Sequence, residues 1–402
     1  MRILVLTSSY PTRMETVASP FLHDWADALS ARGHELTVLA PCDRHYGAHI
    51  TKATRVAVSY FQYLPCTSWQ TLTYGAGMYD NVRRNPFRLA QLPSFLQALH
   101  RQAGRLIRDG DVLHAHWMFP AGLVGALVKR RFAAPLVISI HSTDFHALRR
   151  LPGGRLVARA IVRHADRLHF VTEYHRQRFA EWIGDDALAH LESYVAPMGV
   201  PDGLLDAPLQ PLAAKPTIGF MGRLIPLKGV DQLLRACARL RCGRVAIAGV
   251  GPAQALLARL ADALGVDARF VGAVSGAGKT RFLDGCDIMV FPSRHYASGR
   301  GEGLPVGLLE AMARGRVVVA SDSGGIPEVI RHRQNGYLYC SRRRGALDDA
   351  LKGVLSGWPT SGHVAADALL TGRRYTASVL ASQHESHYRA LLSRVAVPEA
   401  CA

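Results

Sequence analysis

Short apolar runs alternate along this chain with stretches whose apolar residues recur every three or four positions. RILVLT, PFLHDWADALSARG and HELTVLAP read in turn as strand, helix and strand. In the middle segment Phe21, Leu22, Trp25, Ala28 and Leu29 share one helical face, and Gly33 stops the helix. DVLHAHW, PAGLVGALVKRR and PLVISIH repeat the unit, and RLHFVT adds a strand. Residues 44–95 break the rhythm; YFQYLP and WQTLTYGAGMYDNVRRNP read as ordered loops or short strands. The proline-rich stretch 196–216 reads as a linker. The alternation then restarts: TIGFMG, a helix near 228–240, RVAIAG, a helix near 252–264, ARFVG, DIMVFPS, a helix near 304–314, and VVVAS. The pattern predicts an α/β protein of two doubly wound parallel-sheet domains, with ligands at the carboxyl ends of the strands. No internal repeat is visible.

Composition narrows this picture. A chain of 402 residues, 49% hydrophobic and 20% charged, supports two buried cores. No apolar run approaches the ~18 residues that span a bilayer. The N-terminal run is about 5 residues, short of the roughly 7 to 15 of a secretory signal, so it reads as a first strand and the protein as cytoplasmic. Seven cysteines without a CxxC spacing argue against zinc and thioredoxin-like chemistry. The formal charge of +17 points to anionic partners, or to the Ala- and Arg-rich composition of a GC-rich genome. RRR at 342–344 and KRR at 129–131 are too short for nucleic-acid arms, and no nucleic-acid-binding signature is present.

Several motifs are decoys. GAVSGAGKT, residues 272–280, suggests a phosphate loop, but the first glycine of G-x-x-x-x-G-K-[ST] would fall on Ala273. GVGP at 249–252 is half of a dinucleotide fingerprint and lacks its third glycine. Asp109-Gly110-Asp111 precedes a strand, where a metal-binding D-x-D would follow one, and reads as a solvated turn. His114 and His116 share one face of a strand; without a third ligand nearby they read as packing or acceptor contacts.

Two stretches carry chemistry. GRGEGLPVGLLEAMARG, residues 299–315, runs from a glycine-rich turn into a helix, with seven residues between Glu302 and Glu310. Gly303 allows close backbone approach, Pro305 suits a first turn, and the amides near Leu304 and Val306 offer an anion site. The same residues also fit a capped amphipathic helix with two exposed glutamates. MGRLIPLKGVDQLL, residues 221–234, places Arg223 and Lys228 on a strand-to-helix loop, where both can reach a diphosphate.

In combination, these residues resemble the retaining glycosyltransferases of family 4, which have the GT-B fold of two facing Rossmann-like domains. The match runs over nearly the whole chain, through SSYPTRMETVASPFLHDWADALSARGHELTVLAP, DVLHAHWMFPAGLVGAL, ISIHSTD, GRLIPLKG, AGVGP, FVGAV, DIMVFPS, EGLPVGLLEAMARG and SDSGGIPEVI. The resemblance implies an acceptor-binding domain over 1–200, a nucleotide-sugar-binding domain over 212–373, and a C-terminal helix, 374–395, packed back onto the first. It implies that Arg223 and Lys228 neutralise the donor diphosphate, so that no metal and no cofactor is needed. Glu310 is implied to bind the ribose hydroxyls and Glu302 the donor sugar. Gly251, Gly303 and the backbone of Leu304, Pro305 and Val306 would cradle sugar and phosphate, and Val274 would wall the base. His141 would lie beside the reacting sugar. The first loop departs from the family's Gly-Gly pair, reading Ala18, Ser19 and Pro20, which puts its role in doubt.

The implied reaction is metal-independent hexosyl transfer from a UDP- or GDP-sugar to an acceptor hydroxyl with retention, by front-face attack. The expected acceptor is a lipid-linked or cell-surface glycan intermediate of envelope polysaccharide biosynthesis, met at the cytoplasmic face of an anionic membrane; no nucleic acid is expected. A small soluble acceptor, an epimerase of the same fold and a degenerate donor-binding subunit are the alternatives.

Overall fold

The structure is a computed structural model. It describes residues 1–396 except 13–17, 46, 54–55, 76, 109–110, 207, 297–300 and 359–360. Asp109 and Gly110, residues 15–17 of the first loop, and residues 299–300 therefore lie outside it. The chain forms two units: Met1–Met198 together with the segment from Ser378 onward, and Gly199–Ala377.

In the first unit, eight strands among the described residues form one sheet. They are β1 (Arg2–Leu6), β2 (Glu35–Pro41), β3 (His49–Ala53), β4 (Val56–Phe61), β5 (Val112–His116), β6 (Leu136–Ile140), β7 (Arg167–Phe170) and β8 (Glu192–Val195). Their order is β3-β4-β2-β1-β5-β6-β7-β8, parallel except for the β3–β4 pair. β5, β6 and β7 are buried along their whole length, including the polar side chains His114, His116, Arg167 and His169. The helix Pro20–Ala31 buries Leu22, Trp25, Ala28 and Leu29 as its periodicity predicts. Phe21 stays half-buried and packs on His141 instead. The irregular region 44–95 contains β3, β4, the helix Met78–Arg84 and the start of the helix Leu92–Leu106.

The C-terminal helix Ala377–Ala396 belongs almost wholly to this first unit. It places Tyr388 on His114, His384 on Tyr194 and Glu385 on Arg32.

The second unit holds β9 (Ile218–Met221), β10 (Val245–Ala248), β11 (Ala268–Gly272), β12 (Ile288–Phe291), β13 (Val317–Ser321) and β14 (Tyr337–Tyr339). All pairs are parallel, in the order β11-β10-β9-β12-β13-β14. The order reverses between β9 and β12, the topological switch point at which such sheets bind ligands.

The stretch read as a linker is bound to this unit over much of its length. The fully buried Arg314 guanidinium donates to the carbonyls of Leu204 (2.9 Å) and Pro208 (2.7 Å) and pairs with Asp284 (2.9 Å). Arg316 donates to the carbonyl of Gln210, and Asp287 accepts from the amides of Ala213 and Thr217. A proline-rich segment has carbonyls without strand partners, and two guanidinium forks satisfy them. The unit thus begins at Gly199, not at residue 212. No helix of the described residues is long and apolar enough to cross a membrane.

Candidate active site

In the second unit, the loop after β9 carries Arg223 and Lys228, and the segment after β12 carries Ser293 and Glu302, so both arise at the switch point. Lys228 Nζ lies 2.6 Å from Glu302 Oε2, and the Ser293 hydroxyl donates to the same oxygen at 2.8 Å. Burial by itself raises the Glu302 carboxyl; the charge and hydrogen bond of Lys228, with Ser293 and the Gly303 backbone, outweigh it and hold the group below the ordinary carboxylate range. Arg223 is exposed on the same loop.

Backbone contacts fix these loops. Gly251 brings its turn against the Arg223 loop: Leu224 N–H donates to Val250 (3.0 Å) and Ala253 N–H to Leu224 (3.0 Å). A Cβ on Gly251 would sit 2.4 Å from the Leu224 carbonyl oxygen. Glu302 is pinned from behind by the turn after β13. Its amide donates to Ser323 Oγ at 3.1 Å, and Gly325 N–H donates to the Gly303 carbonyl at 2.9 Å. Gly324, at φ +64°, approaches so closely that a Cβ would lie 1.6 Å from the Glu302 carbonyl oxygen. The helix Val306–Ala313 follows, with Pro305 at its cap position rather than inside its first turn. Its N-terminal amides face away from the helix body as an anion site requires. Leu304 is half-buried and packs into the core beneath.

Glu310, on the same helix, is buried and pairs with Lys279 at 2.5 Å. Lys279 is the lysine of the decoy GAGKT, and the helix Gly276–Asp284 that bears it excludes a wrapped phosphate loop. Sequence reading missed Lys279, Ser293 and Ser323. The G-K-T signal singled out the right lysine for a different role, and nothing in the sequence marked the two serines. Val274 is half-buried; it lines a 620 Å³ pocket with Arg244, Arg269, Arg281 and Phe282, and none of the other site residues lines that pocket.

In the first unit, His141 follows β6 and is set among aromatic rings. Trp117 and Phe21 pack on it with ring centroids at 4.9 and 5.5 Å. Two non-glycine residues with positive φ flank it, Trp117 (72°) and Ser142 (77°), and a third, Ser19 (50°), caps the helix that carries Phe21. Such sparsely populated conformations cluster at functional positions. Asp144 secures the turn by accepting from the amides of Met118 (2.6 Å) and His141 (3.2 Å). Burial pushes the Asp144 carboxyl up to about 6, against those hydrogen bonds. Burial, with the charge of His169 added, pushes His141 down to about 3, so it is a neutral imidazole. His114 uses both ring nitrogens on protein partners, Tyr388 and Ser139, which is the packing role expected for it.

Two doubly wound units, one with a cationic loop and a glutamate at its switch point, define a GT-B glycosyltransferase. Residues 215–356 match the family described as Glycosyl transferases group 1, and residues 18–191 the Glycosyl transferase 4-like domain. The chain belongs to this family, the family-4 glycosyltransferases. It is 30% identical over 379 residues to a GDP-mannose-dependent alpha-(1-6)-phosphatidylinositol monomannoside mannosyltransferase of Mycolicibacterium smegmatis, covering 88% of this chain and 89% of the relative. Among solved structures, sucrose-phosphate synthase from Thermosynechococcus elongatus superposes with a TM-score of 0.74 at 18% identity, covering 98% of this chain and all of that one. Anabaena HepE in complex with UDP superposes at 0.70 with 20% identity, covering 97% and 100%.

Proposed function

We propose that the chain transfers a hexose from a nucleotide diphosphate sugar to a hydroxyl of a lipid-linked glycan, with retention of configuration and without a metal ion. The observation that carries this reading is the Lys228–Glu302 pair at the switch point, with Arg223 on the same loop. The two cations are the charge that a departing diphosphate needs. In the free chain Glu302 holds the Lys228 ammonium. An incoming diphosphate competes for that ammonium and leaves the Glu302 carboxylate to accept hydrogen bonds from the sugar. The dipole of the helix Val306–Ala313 adds to the stabilisation. Glu310 has one oxygen on Lys279 and the other for ribose hydroxyls, while Gly251, Gly303 and the Leu304–Val306 backbone shape the cradle. His141 touches the transferred sugar. In the reaction the bond between the anomeric carbon and the phosphate oxygen breaks, the acceptor oxygen attacks from the same face, and the departing phosphate takes the acceptor's proton.

The mannosyltransferase relative supports GDP-mannose as donor and a phosphatidylinositol-linked mannoside as the acceptor class. The basic charge of +17, with exposed Trp69 and Phe87 on the first unit, supports work at an anionic membrane surface on its cytoplasmic face. Calorimetric titration of the full-length protein with GDP, UDP and ADP, each with and without EDTA, tests the donor and the metal together. GDP binding that EDTA leaves unchanged is expected. Binding that requires magnesium, or none at all, overturns the reading. Transfer of labelled mannose from GDP-mannose into extracted lipid then tests the acceptor class.

A further inference from the structure

His141 rests on a stack of buried histidines, and the proton positions in that stack can be worked out from one end. His169 Nε2 lies 2.7 Å from the carbonyl of Ala196, which only accepts. This nitrogen therefore carries the proton, and Nδ1 of the neutral ring is a lone pair. Ser139 Oγ, 2.6 Å from that Nδ1, gives it its one proton. Ser139 must then accept from His114 Nε2 at 2.7 Å, and the Tyr388 hydroxyl donates to His114 Nδ1 at 2.6 Å. The His114 ring stacks on His116 with centroids 4.4 Å apart.

His116 is the link to His141: its Nδ1 lies 2.9 Å from His141 Nε2. One of the two nitrogens donates. The other nitrogen of His116, Nε2, is buried with no partner among the described residues. If His141 were the donor, neutral His116 would carry its own proton on Nε2, as a buried N–H with nothing to accept it. Orphaned buried N–H groups are rarer than orphaned acceptors. Trp25 packs edge-on against the His116 ring, with ring centroids at 4.8 Å. Its Nε1–H is an obligate donor and is also buried without a partner. A lone pair on His116 Nε2 leaves this buried pair with one orphaned N–H, where a proton there would make two.

We propose that His116 is the positioning residue for His141, donating from Nδ1 to His141 Nε2 and so locking His141 as the tautomer that carries its proton on Nδ1. With Nε2 occupied, His141 meets a ligand as a hydrogen-bond donor and has no lone pair free to take a proton. This rests on the reading that His141 touches the transferred sugar, and it narrows that reading: His141 holds a substrate oxygen and is not the base.

The test uses the full-length protein with ¹⁵N-labelled histidine. Two-bond ¹H–¹⁵N correlation spectra read the tautomer, with the His141 signals assigned by their loss in His141→Gln. The wild type is expected to show a protonated Nδ1 and an unprotonated Nε2. His116→Phe keeps a flat ring but removes the donor. It is expected to lose that single tautomer and to lower turnover on the order of 10²-fold, with donor KM unchanged. His116→Asn, whose amide N–H can stand where Nδ1–H stood, is expected to restore the tautomer and most of the turnover. Ser139→Ala breaks the ladder elsewhere and is expected to leave the His141 tautomer in place, which separates positioning from general damage to the core. A wild-type His141 protonated on Nε2, or a His116→Phe protein with unchanged tautomer and turnover, overturns the proposal. The spectra decide it even if no sugar is transferred, whereas transfer by an Nε2-protonated His141 sinks this inference and leaves the proposed function standing.

Discussion

At the residue scale, the site is built from buried charges that hold one another. Lys228 and Glu302 form one pair and Lys279 and Glu310 another, both largely shielded from water. Removing one member leaves a buried charge unpaired, at a cost of about 3 kcal/mol or more. Lys279→Met should therefore lower stability and weaken nucleoside diphosphate binding, seen by denaturant titration and calorimetry. The double variant Lys279→Met/Glu310→Gln should recover the stability but not the binding. Recovery of both would remove Glu310 from the ribose site. Arg223→Ala and Lys228→Ala should each cost on the order of 10² to 10³ in kcat if they stabilise the leaving diphosphate. Steady-state rates within a fewfold of the wild type would contradict that role.

At the scale of elements, glycine-mediated backbone contact places the carboxylate. The turn after β13 presses Gly324 onto Glu302, in a left-handed conformation that leaves no room for a side chain. Gly324→Ala should lower Tm and displace Glu302, raising donor KM and lowering kcat together; a variant with wild-type Tm and kinetics would show the turn to be slack. The Arg314 clasp acts likewise on the segment from Leu204 to Pro208. Arg314→Met leaves Asp284 and two carbonyls without their donor. It should destabilise the second unit by about 3 kcal/mol, and proteolysis should then cut near Leu205. Protection equal to the wild type would refute the clasp.

At the scale of the whole molecule, the first unit carries a pH dependence set by its histidines. His114, His116, His141, His169 and His384 are all held below the ordinary imidazole value, chiefly by burial. His169 is pushed down to about 4 and His141 to about 3. An unfolded chain takes up these protons near pH 6.5, while the folded chain resists them. The stability they contribute is therefore complete above about pH 6.5 and is lost as pH falls towards 4. Asp144 acts the other way: its folded value of about 6 lies above the ordinary value, so it removes stability as pH rises through that range. One carboxyl opposes five histidines, and acid should destabilise the protein. Scanning calorimetry should show Tm nearly flat above pH 7 and falling steeply between pH 6.5 and 4. A Tm that holds to pH 5 would mean that these histidines are not buried neutral in solution.

The sequence by itself determined the alternation of strands and helices, the split into two doubly wound units, and the loops on which Arg223, Lys228, Glu302 and His141 sit. These are local matters: apolar periodicity reports burial of a strand or helix face, and glycine and proline report turns. It did not reveal β8 and β14, which are short and carry polar or tyrosine side chains, nor that the proline-rich stretch is bound by Arg314 and Arg316. Only the tertiary structure decided that Lys279 serves Glu310 instead of a phosphate, that Ser293 and Gly324 fix Glu302, and that His116 reaches His141. These contacts join residues 9 to 31 positions apart, between helices, loops and strand ends that the sheet order brings together. Which side chain faces which is set by strand order and register, and no spacing along the chain encodes it.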